Sequence, residues 1–427
     1  MNASFEHTRN YAQYRQYCGL KQNWKVNYKD INLADACAID LIDAIVVGHK
    51  ASYYHIICAL FQRIQVAPLK DAFETHTNIF TFAFPNRKDH LALSKAYVSS
   101  VDDSRLVVLD YYYSPRKSIS RWLHFWKEVR TLPISFINRV FIAARMAGYS
   151  GVIDDLEKQF ASVNLNTKQF IPFCATVYHE ALLTLFFRSK GATTYYTFHG
   201  VFGRYLQFIA NDVVNGDNIL SNYVLAFGEG QRQDLIHDFE VNPNIIKVAG
   251  NPKYPYHKIQ IQNTFQSCLI LGGAGMYDDA LRQLLLEADK LADQLQIKMA
   301  LKPHPLSKIY EDAVWKQIKH ITLLDKSDTI TSLFDTCQYD FAITHNTSSY
   351  YECMIAGLKP FRWGNNENVD FEGMEDRFYT AEQLERMIRD AKQTDSAILS
   401  QEAEQLLIHV IGYGINNYNQ IINASLE

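Results

Sequence analysis

Residues 268–305 read CLILGGAGMYDDALRQLLLEADKLADQLQIKMALKPHP, and this stretch decides the fold class. The apolar run Cys268–Leu271 predicts a buried strand that ends at glycines. Leucines and alanines at helical spacing over Asp278–Leu295 predict an amphipathic helix. A second apolar run, Ile297–Leu301, predicts a strand that leads into Lys302-Pro-His-Pro305. A strand, a helix and a strand in this order indicate a parallel βαβ unit.

The same alternation continues on both sides of this unit. Upstream, apolar runs predict strands at Ala44–Gly48, Arg105–Asp110, Ile171–Val177, Thr193–Phe198 and Tyr223–Phe227. Downstream, they predict strands at Ile321–Leu324, Phe341–Thr344 and Phe361–Trp363, then a helical tail from Thr380. Dense Pro, Gly and Asn residues within 241–265 indicate an interdomain connection. We therefore expect two Rossmann-like α/β domains facing across a cleft, over residues 1–245 and 246–400. Residues 401–427 are expected to form a helix that packs back on the first domain.

The composition is that of a folded, slightly acidic protein. Its 427 residues include 42 Lys+Arg and 46 Asp+Glu, which gives a net charge of −4. This balance argues against nucleic-acid binding, for which the electrostatic footprint is basic. Aromatic residues reach 13% and suit two large cores or a sugar-binding groove. The N-terminus lacks the basic and apolar segments of a secretory signal, and no apolar run is long enough to span a membrane.

Three polar clusters follow predicted strands of the second half, where ligands of open α/β sheets bind. Gly272-Gly-Ala-Gly275 lets backbone N–H groups approach a phosphate at a helix start, although a tight turn explains it equally well. In Lys302-Pro-His-Pro305 the prolines restrict the backbone around His304, so its imidazole is placed to donate to a departing phosphate. A loop histidine satisfied by the backbone is the alternative.

The third cluster is His345-Asn-Thr-Ser-Ser349, followed by Glu352. Its hydroxyl groups fall at a predicted helix start, where exposed N–H groups bind anions. Ser349 and Glu352 also fit a capping box, and a capped helix start can still hold a phosphate.

In the first half, His199-Gly200 ends an aromatic strand. A histidine there can act as a general base, and the glycine lets a ligand come close. Tyr178-His179-Glu180 and Asp110-Tyr111 are further candidates at strand ends. The segment Arg116–Arg130 mixes basic and aromatic residues. We favour a helix with an aromatic core stripe, and a basic patch at a membrane surface is the alternative.

Together these motifs resemble those of GT-B glycosyltransferases. Lys302-Pro-His-Pro305 with Ser348-Ser349 is similar to the HP and S/T motifs of bacterial sialyltransferases, polysialyltransferases and capsule Kdo transferases. CDP-glycerol glycerophosphotransferases share this pattern, and Thr197-Phe-His-Gly200 resembles their His-Gly motif. The resemblance is strongest over residues 190–365. Sialyltransferases also carry an acidic pair followed by glycine, whereas here Asp102-Asp103 precedes Ser104.

The resemblance implies a cytoplasmic, metal-independent transferase with no cofactor, placed peripherally at the inner membrane if the basic segment binds lipid. It would move a sugar from a nucleotide-activated donor to a glycan or lipid-linked glycan of the bacterial surface. His199 or Glu180 would act as base, and His304 would stabilise the leaving phosphate. The donor would contact Gly273, Gly275, Lys302, His304, Pro305, Thr347, Ser348, Ser349 and Glu352. An epimerase or hydrolase of the UDP-GlcNAc 2-epimerase type and a non-catalytic glycan-binding subunit of a capsule complex are the alternatives.

Overall fold

The structure is a computed structural model, and it describes residues 3–84, 87–115, 118–273, 278–304, 307–325, 327–336, 338–365 and 369–424. The chain forms two compact units. The first comprises residues 1–199, 208–255 and 414–427, and the second comprises residues 200–207 and 256–413. Each unit is built on one six-stranded sheet in which every strand pair is parallel. The expectation of two Rossmann-like α/β domains is therefore confirmed.

The first sheet has the spatial order β6-β5-β4-β3-β1-β2. Its strands are β1 Asn78–Phe82, β2 Ser104–Val108, β3 Gln169–Pro172, β4 Thr193–Thr197, β5 Tyr223–Ala226 and β6 Ile246–Val248. The helices of this unit are Tyr11–Asn23, Leu33–Ala36, Ala38–Ile42, Tyr53–Phe61, Ala67–Thr75, Lys88–Ser99, Ser118–Val129, Phe136–Phe160, Tyr178–Ser189, Val214–Asp217, Glu229–Phe239 and Tyr418–Asn423. Two short ribbons, Asn27–Tyr28 with Ile31–Asn32 and Gln62–Ile64 with Tyr111–Tyr113, complete the unit.

Two predictions for the first sheet need correction. The run Ala44–Gly48 is wrong as a strand, because it lies in a π-helical turn, Asp43–Val47, that continues the helix Ala38–Ile42. A short apolar run is compatible with a buried helix as well as with a strand, and here the preceding helix propagates through it. The strand β1, next to the edge of the sheet, was not predicted, although all five of its residues are buried.

The second sheet has the order β9-β8-β7-β10-β11-β12. Its strands are β7 Ser267–Leu271, β8 Lys298–Lys302, β9 Ile321–Leu323, β10 Phe341–Thr344, β11 Lys359–Trp363 and β12 Arg377–Phe378. Its helices are Asp278–Leu295, Ile330–Asp335, Ser349–Ile355, Ala381–Gln393 and Ser396–Ile411, and a ribbon pairs Arg204–Tyr205 with Val369–Asp370. The predicted helix Asp278–Leu295 has the expected bounds, and its leucine face is buried in the core of this unit.

The unit boundaries differ from the expected ones for local reasons. Residues after 245 stay with the first unit, because β6 pairs with β5. The helix Ser396–Ile411 belongs to the second unit, and only residues 414–427 return to the first.

The returning segment is fixed by a close backbone contact. Gly250 has φ +90°, and a Cβ there would lie 1.8 Å from the carbonyl oxygen of Ile415. The Tyr418 hydroxyl donates to the Gly250 carbonyl at 2.6 Å. Only glycine leaves room for the chain at this position.

Candidate functional site

The strand order of the second sheet creates a topological switch point between β7 and β10. From β7 the chain builds β8 and β9 on one side, and it then crosses over to build β10, β11 and β12 on the other. Leu271 at the end of β7 is in register with Lys302 on β8 and with Thr344 on β10. The loops after these three strands therefore lie side by side at the carboxyl edge, which is where open α/β sheets bind ligands.

The glycine loop follows β7 at this switch point. Gly273 is buried, whereas Gly275 lies outside the described residues. A Cβ on Gly272 would come within 3.0 Å of the Leu281 side chain, so the loop passes close to the helix that follows it. A glycine at position 272 therefore suits the packing of the loop against Leu281, independently of any ligand.

The loop after β8 carries Lys302 and His304. Lys302 is buried at 6% exposure, and its Nζ donates to the Pro303 carbonyl at 3.2 Å. A buried ammonium is costly unless it is compensated, and the Asp325 carboxylate lies close enough to interact with this one. His304 is half-buried, and Pro305 lies outside the described residues.

Hydrogen bonds tie the His304 loop to the helix Asp278–Leu295. The Ser307 backbone N–H donates to the His304 carbonyl at 2.9 Å. The Ser307 hydroxyl in turn donates to Asp278 Oδ1 at 2.7 Å, and the Lys308 N–H donates to Oδ2 at 3.2 Å. The backbone next to His304 is thus held by the first residue of the helix, which preorganises the imidazole.

The loop after β10 leads into the helix Ser349–Ile355. Thr347 Oγ1 accepts from the Ser349 N–H at 3.2 Å and donates to Ser349 Oγ at 3.1 Å. The predicted capping box of Ser349 and Glu352 is wrong, because the helix starts at Ser349 and Ser348 takes the N-cap position without a side-chain hydrogen bond. Ser348 is exposed and Glu352 half-buried, so the two side chains remain accessible to a ligand.

Asn346 is a candidate that sequence reasoning did not single out. Its backbone is left-handed, with φ +49°, which is uncommon for a residue other than glycine and concentrates at functional sites. Its amide Oδ1 and Nδ2 atoms are buried without a hydrogen-bond partner among the described residues. The neighbouring His345 is buried too, and loss of solvent lowers its pKa to about 4.

If this edge of the sheet binds a nucleotide, Asn346→Gly is expected to weaken that binding by about tenfold, the value of one well-formed hydrogen bond. Glycine accepts positive φ without strain, so the free energy of unfolding should stay equal or rise. Titration of the nucleotide by calorimetry and urea unfolding measure the two quantities. Unchanged affinity would exclude the amide from the site, and Asn263→Gly, on the segment that leads into the amino end of β7, is the control for affinity.

The first sheet has its own switch point, between β1 and β3, because β2 lies outside β1 and β4, β5 and β6 lie beyond β3. The loops after β1, β3 and β4 bring together the side chains of Arg87, His90, Cys174 and His199. His199 Nδ1 lies 3.4 Å from Cys174 Sγ, and its ring centroid is 5.3 Å from that of His90. The Arg87 guanidinium lies 2.9 Å from His90 Nε2. This cluster occupies the same edge as the ligand sites of related sheet topologies.

The pKa of both histidines is depressed. Desolvation, with a further contribution from Arg87, lowers the pKa of His90 to about 4. For His199, loss of solvent comes first and the charges of His90 and Arg87 second, and its pKa is also about 4. Both imidazoles are therefore neutral at neutral pH, the form in which a histidine accepts a proton.

Glu180 is enclosed within the fold rather than placed at an open surface. The carboxylate is fully buried and accepts from Thr81 Oγ1 at 3.1 Å. It also accepts from the backbone N–H groups of Phe173 at 3.2 Å and Cys174 at 3.1 Å. Burial raises its pKa to about 8 against these hydrogen bonds. Glu180 thus fixes the loop that presents Cys174 to His199.

The remaining candidates of the first half do not join this cluster. His179 is buried between the rings of Tyr111 and Tyr149, and burial lowers its pKa to about 3. Asp110 is exposed. Arg87 and His90 were missed because β1, which leads to them, was not predicted. The signal available was the β-prone run Asn78-Ile-Phe-Thr-Phe82.

Within the part of the chain that the structure describes, no three His, Cys, Asp or Glu side chains are grouped to hold a metal ion. No helix over the same residues has the length and apolar character needed to cross a membrane.

Neither known protein families nor curated proteins yield a match to this sequence. Solved structures do resemble it. A UDP-GlcNAc 2-epimerase from Neisseria meningitidis has 12% identity and a TM-score of 0.45, over 82% of this chain and 98% of that one. TarM from S. aureus has 15% identity and a TM-score of 0.42, and the alignment covers 61% of this chain and 55% of the TarM chain. The wall teichoic acid polymerase TagF has 12% identity and a TM-score of 0.42, and the alignment covers 84% of this chain and 89% of the TagF chain. Because these identities and TM-scores are low, the function has to be argued from the residues of the site.

Proposed function

We propose that this protein is a glycosyltransferase that moves a sugar from a nucleotide-activated donor to a glycan of the bacterial surface. The observation that carries the proposal is the switch point of the second sheet. There a glycine loop, a buried lysine, a preorganised histidine and a hydroxyl-rich turn converge on one edge. These groups suit the phosphates of a nucleotide more than they suit any neutral ligand.

The donor phosphates would lie between the loops after β7, β8 and β10. Gly273 and Gly275 would let the backbone approach the phosphate, and Lys302 would offset its charge. His304 would donate to the phosphate oxygen that gains charge as the bond to the sugar breaks. We propose no metal and no cofactor, since lysine and histidine supply the positive charge and the nucleotide sugar is itself the substrate.

The turn after β10 would complete the donor site. Thr347, Ser348 and Ser349 provide hydroxyl groups for the phosphate, and Glu352 can reach a ribose hydroxyl. Asn346 adds a buried amide that can donate and accept at once, as recognition of a nucleotide base or ribose requires. Pro305 restrains the backbone after His304.

The acceptor hydroxyl would lose its proton to His199. When His199 carries its own proton on Nδ1 and donates it to Cys174 Sγ, Nε2 is free to accept. Because the imidazole is neutral at neutral pH, no prior deprotonation is needed. Glu180 is proposed as a positioning residue that orders the Cys174 loop rather than as the base.

The donor sugar, nucleotide and acceptor are proposed only as classes. The donor would be a CMP-sialic acid-like or other nucleotide sugar. The acceptor would be a capsule, lipopolysaccharide or lipooligosaccharide chain, free or lipid-linked. The protein would work in the cytoplasm or at the inner face of the membrane.

A thermal-shift screen against CMP, CDP, UDP and GDP tests the donor site first. A nucleotide at 100 times its Kd should stabilise the fold by about 2.7 kcal/mol, which gives a measurable rise in Tm. Inorganic phosphate at the same concentration controls for general anion binding. Absence of any nucleotide effect would contradict the proposal and favour a non-catalytic glycan-binding subunit.

An assay without acceptor then separates transfer from epimerisation. With the nucleotide sugar of the matching nucleotide, a transferase should release nucleotide rapidly only when acceptor glycan is present. Rapid conversion of the sugar nucleotide without acceptor would favour an epimerase or hydrolase instead.

A further inference from the structure

The first unit carries a group of exposed aromatic and aliphatic side chains outside the histidine cluster. It lies on the helices Tyr53–Phe61 and Ser118–Val129, at the ribbon strand Tyr111–Tyr113 and at the start of the helix Phe136–Phe160. We call this cluster the aromatic patch, and it consists of Tyr53, Tyr54, Ile57, Tyr112, Tyr113, Ile119, Leu123 and Phe136. Tyr53 is 81% exposed, Phe136 65% and Ile119 64%. Large apolar side chains this exposed, and this close together, mark an interaction surface.

Contacts beside the patch show that the elements carrying its members adjoin one another. Cys58 Sγ, on the helix of Ile57, lies 3.4 Å from the Tyr113 hydroxyl. The ring centroids of Trp126 and Phe136 are 5.7 Å apart, which joins the second helix to the third. All three helices pack on one another.

The helix Ser118–Val129 divides its apolar residues between two faces. Of the core stripe expected in the segment Arg116–Arg130, Phe125 and Val129 are buried, whereas Trp122 and Trp126 are half-buried. Ile119 and Leu123, four positions apart, point away from that core and are 64% and 55% exposed. The helix therefore uses one face for the fold and leaves another uncovered.

The sequence around the patch is positively charged, which indicates the kind of partner that the patch can bind. Residues 49–66 and 111–155 contain nine Lys or Arg and three acidic residues, a net charge of +6 in a chain of −4. Four of the nine are engaged within the fold: Arg63 is buried, Arg121 and Arg145 pair with aspartates, and Arg139 donates to two backbone carbonyls. Lys50, Lys127 and Arg130 are exposed beside the patch. A second copy of this chain would bring like charges together, which disfavours a homodimer through this surface.

We propose that the aromatic patch binds the surface of an anionic phospholipid bilayer. Its tyrosine, phenylalanine, isoleucine and leucine side chains enter the headgroup region, where amphipathic aromatic residues are favoured. Lys50, Lys127 and Arg130 contact the lipid phosphates, and each adds to binding at low salt. The binding needs no transferase activity, so it can be tested separately from the donor site.

Vesicle flotation of the full chain tests the proposal, with vesicles of phosphatidylcholine alone and of phosphatidylcholine with phosphatidylglycerol. We expect binding at least about tenfold tighter to the anionic vesicles, weakened as salt rises. The triple variant Tyr53→Ser, Ile57→Ser, Leu123→Ser should bind these vesicles about tenfold more weakly, because it removes apolar groups that enter the headgroups. Exposed positions tolerate such changes, and circular dichroism and Tm should stay as in the parent protein.

A matched triple variant removes exposed apolar groups elsewhere. Leu286, Ile398 and Ile408 are 37%, 50% and 41% exposed on the second unit, and their change to Ser should leave vesicle binding unaltered. Equal binding by the patch variant and the parent protein would overturn the proposal, as would equal binding to both kinds of vesicle. So would a folded patch variant that changes only from dimer to monomer in light scattering, since the patch would then bind a second copy.

Discussion

His304→Ala is expected to lower kcat by about 10²–10³-fold, the cost of removing one donor to a developing anion. Nucleotide affinity should change little, because the imidazole acts on charge that appears only as the sugar leaves. The loop should stay folded, since Ser307 and Lys308 hold its backbone through Asp278. Nucleotide release from the donor in the presence of acceptor measures kcat, and calorimetry measures affinity.

Two companion variants sharpen this test. His304→Gln keeps an N–H donor and should recover part of the lost rate. His320→Ala removes another histidine of the same unit, one with 42% side-chain exposure, and should leave kcat unaltered. Full activity in a folded His304→Ala would exclude the histidine from the leaving-group site.

His199→Ala is expected to lower kcat by about 10²–10⁴-fold, which is the usual contribution of a general base. Donor affinity should be unaffected, because the histidine belongs to the first sheet and the donor site to the second. His237→Ala, exposed on the helix Glu229–Phe239, is the matched control and should retain full activity. An equal loss in this control would point to a general effect on the fold.

The pH profile of the parent enzyme gives a second readout for His199. Its pKa of about 4 lies below the ordinary value, so the neutral base is present above that pH. The rate should therefore fall only as the pH drops through about 4, where the imidazole becomes protonated. An unperturbed histidine would produce the fall near pH 6.5. An acid limb at that higher pH would contradict the assignment of His199 as the base.

The second unit was predictable because its local signals agree with each other. The run Cys268–Leu271 is apolar throughout, and the leucine period of Asp278–Leu295 is long enough to be unambiguous. The motifs around His304 and Ser348 were located for the same reason, as they follow recognisable strands. What could not be predicted is the left-handed backbone of Asn346, since asparagine adopts that conformation only where surrounding structure imposes it.

The first unit was harder to predict because its strands are buried by segments that lie far away in the sequence. The strand β1 has a β-prone run, but it is buried between β2 and β3, which come later in the sequence. Without it, neither Arg87 nor His90 could be placed beside His199. The apolar run Ala44–Gly48 shows the reverse problem, since burial alone does not distinguish strand from helix.

The return of the chain to its first unit affects how this protein can be synthesised. The first unit needs residues from both sides of the second unit in the sequence, because contacts of Gly250 and Tyr418 fix residues 414–427 in place. It therefore cannot be completed until the whole of the second unit has been synthesised, which departs from the usual order in which an N-terminal domain folds first. Until then the nascent first unit exposes the surface on which the helix Tyr418–Asn423 packs. This surface includes the side chain of Gln169, which donates to the Ile422 carbonyl.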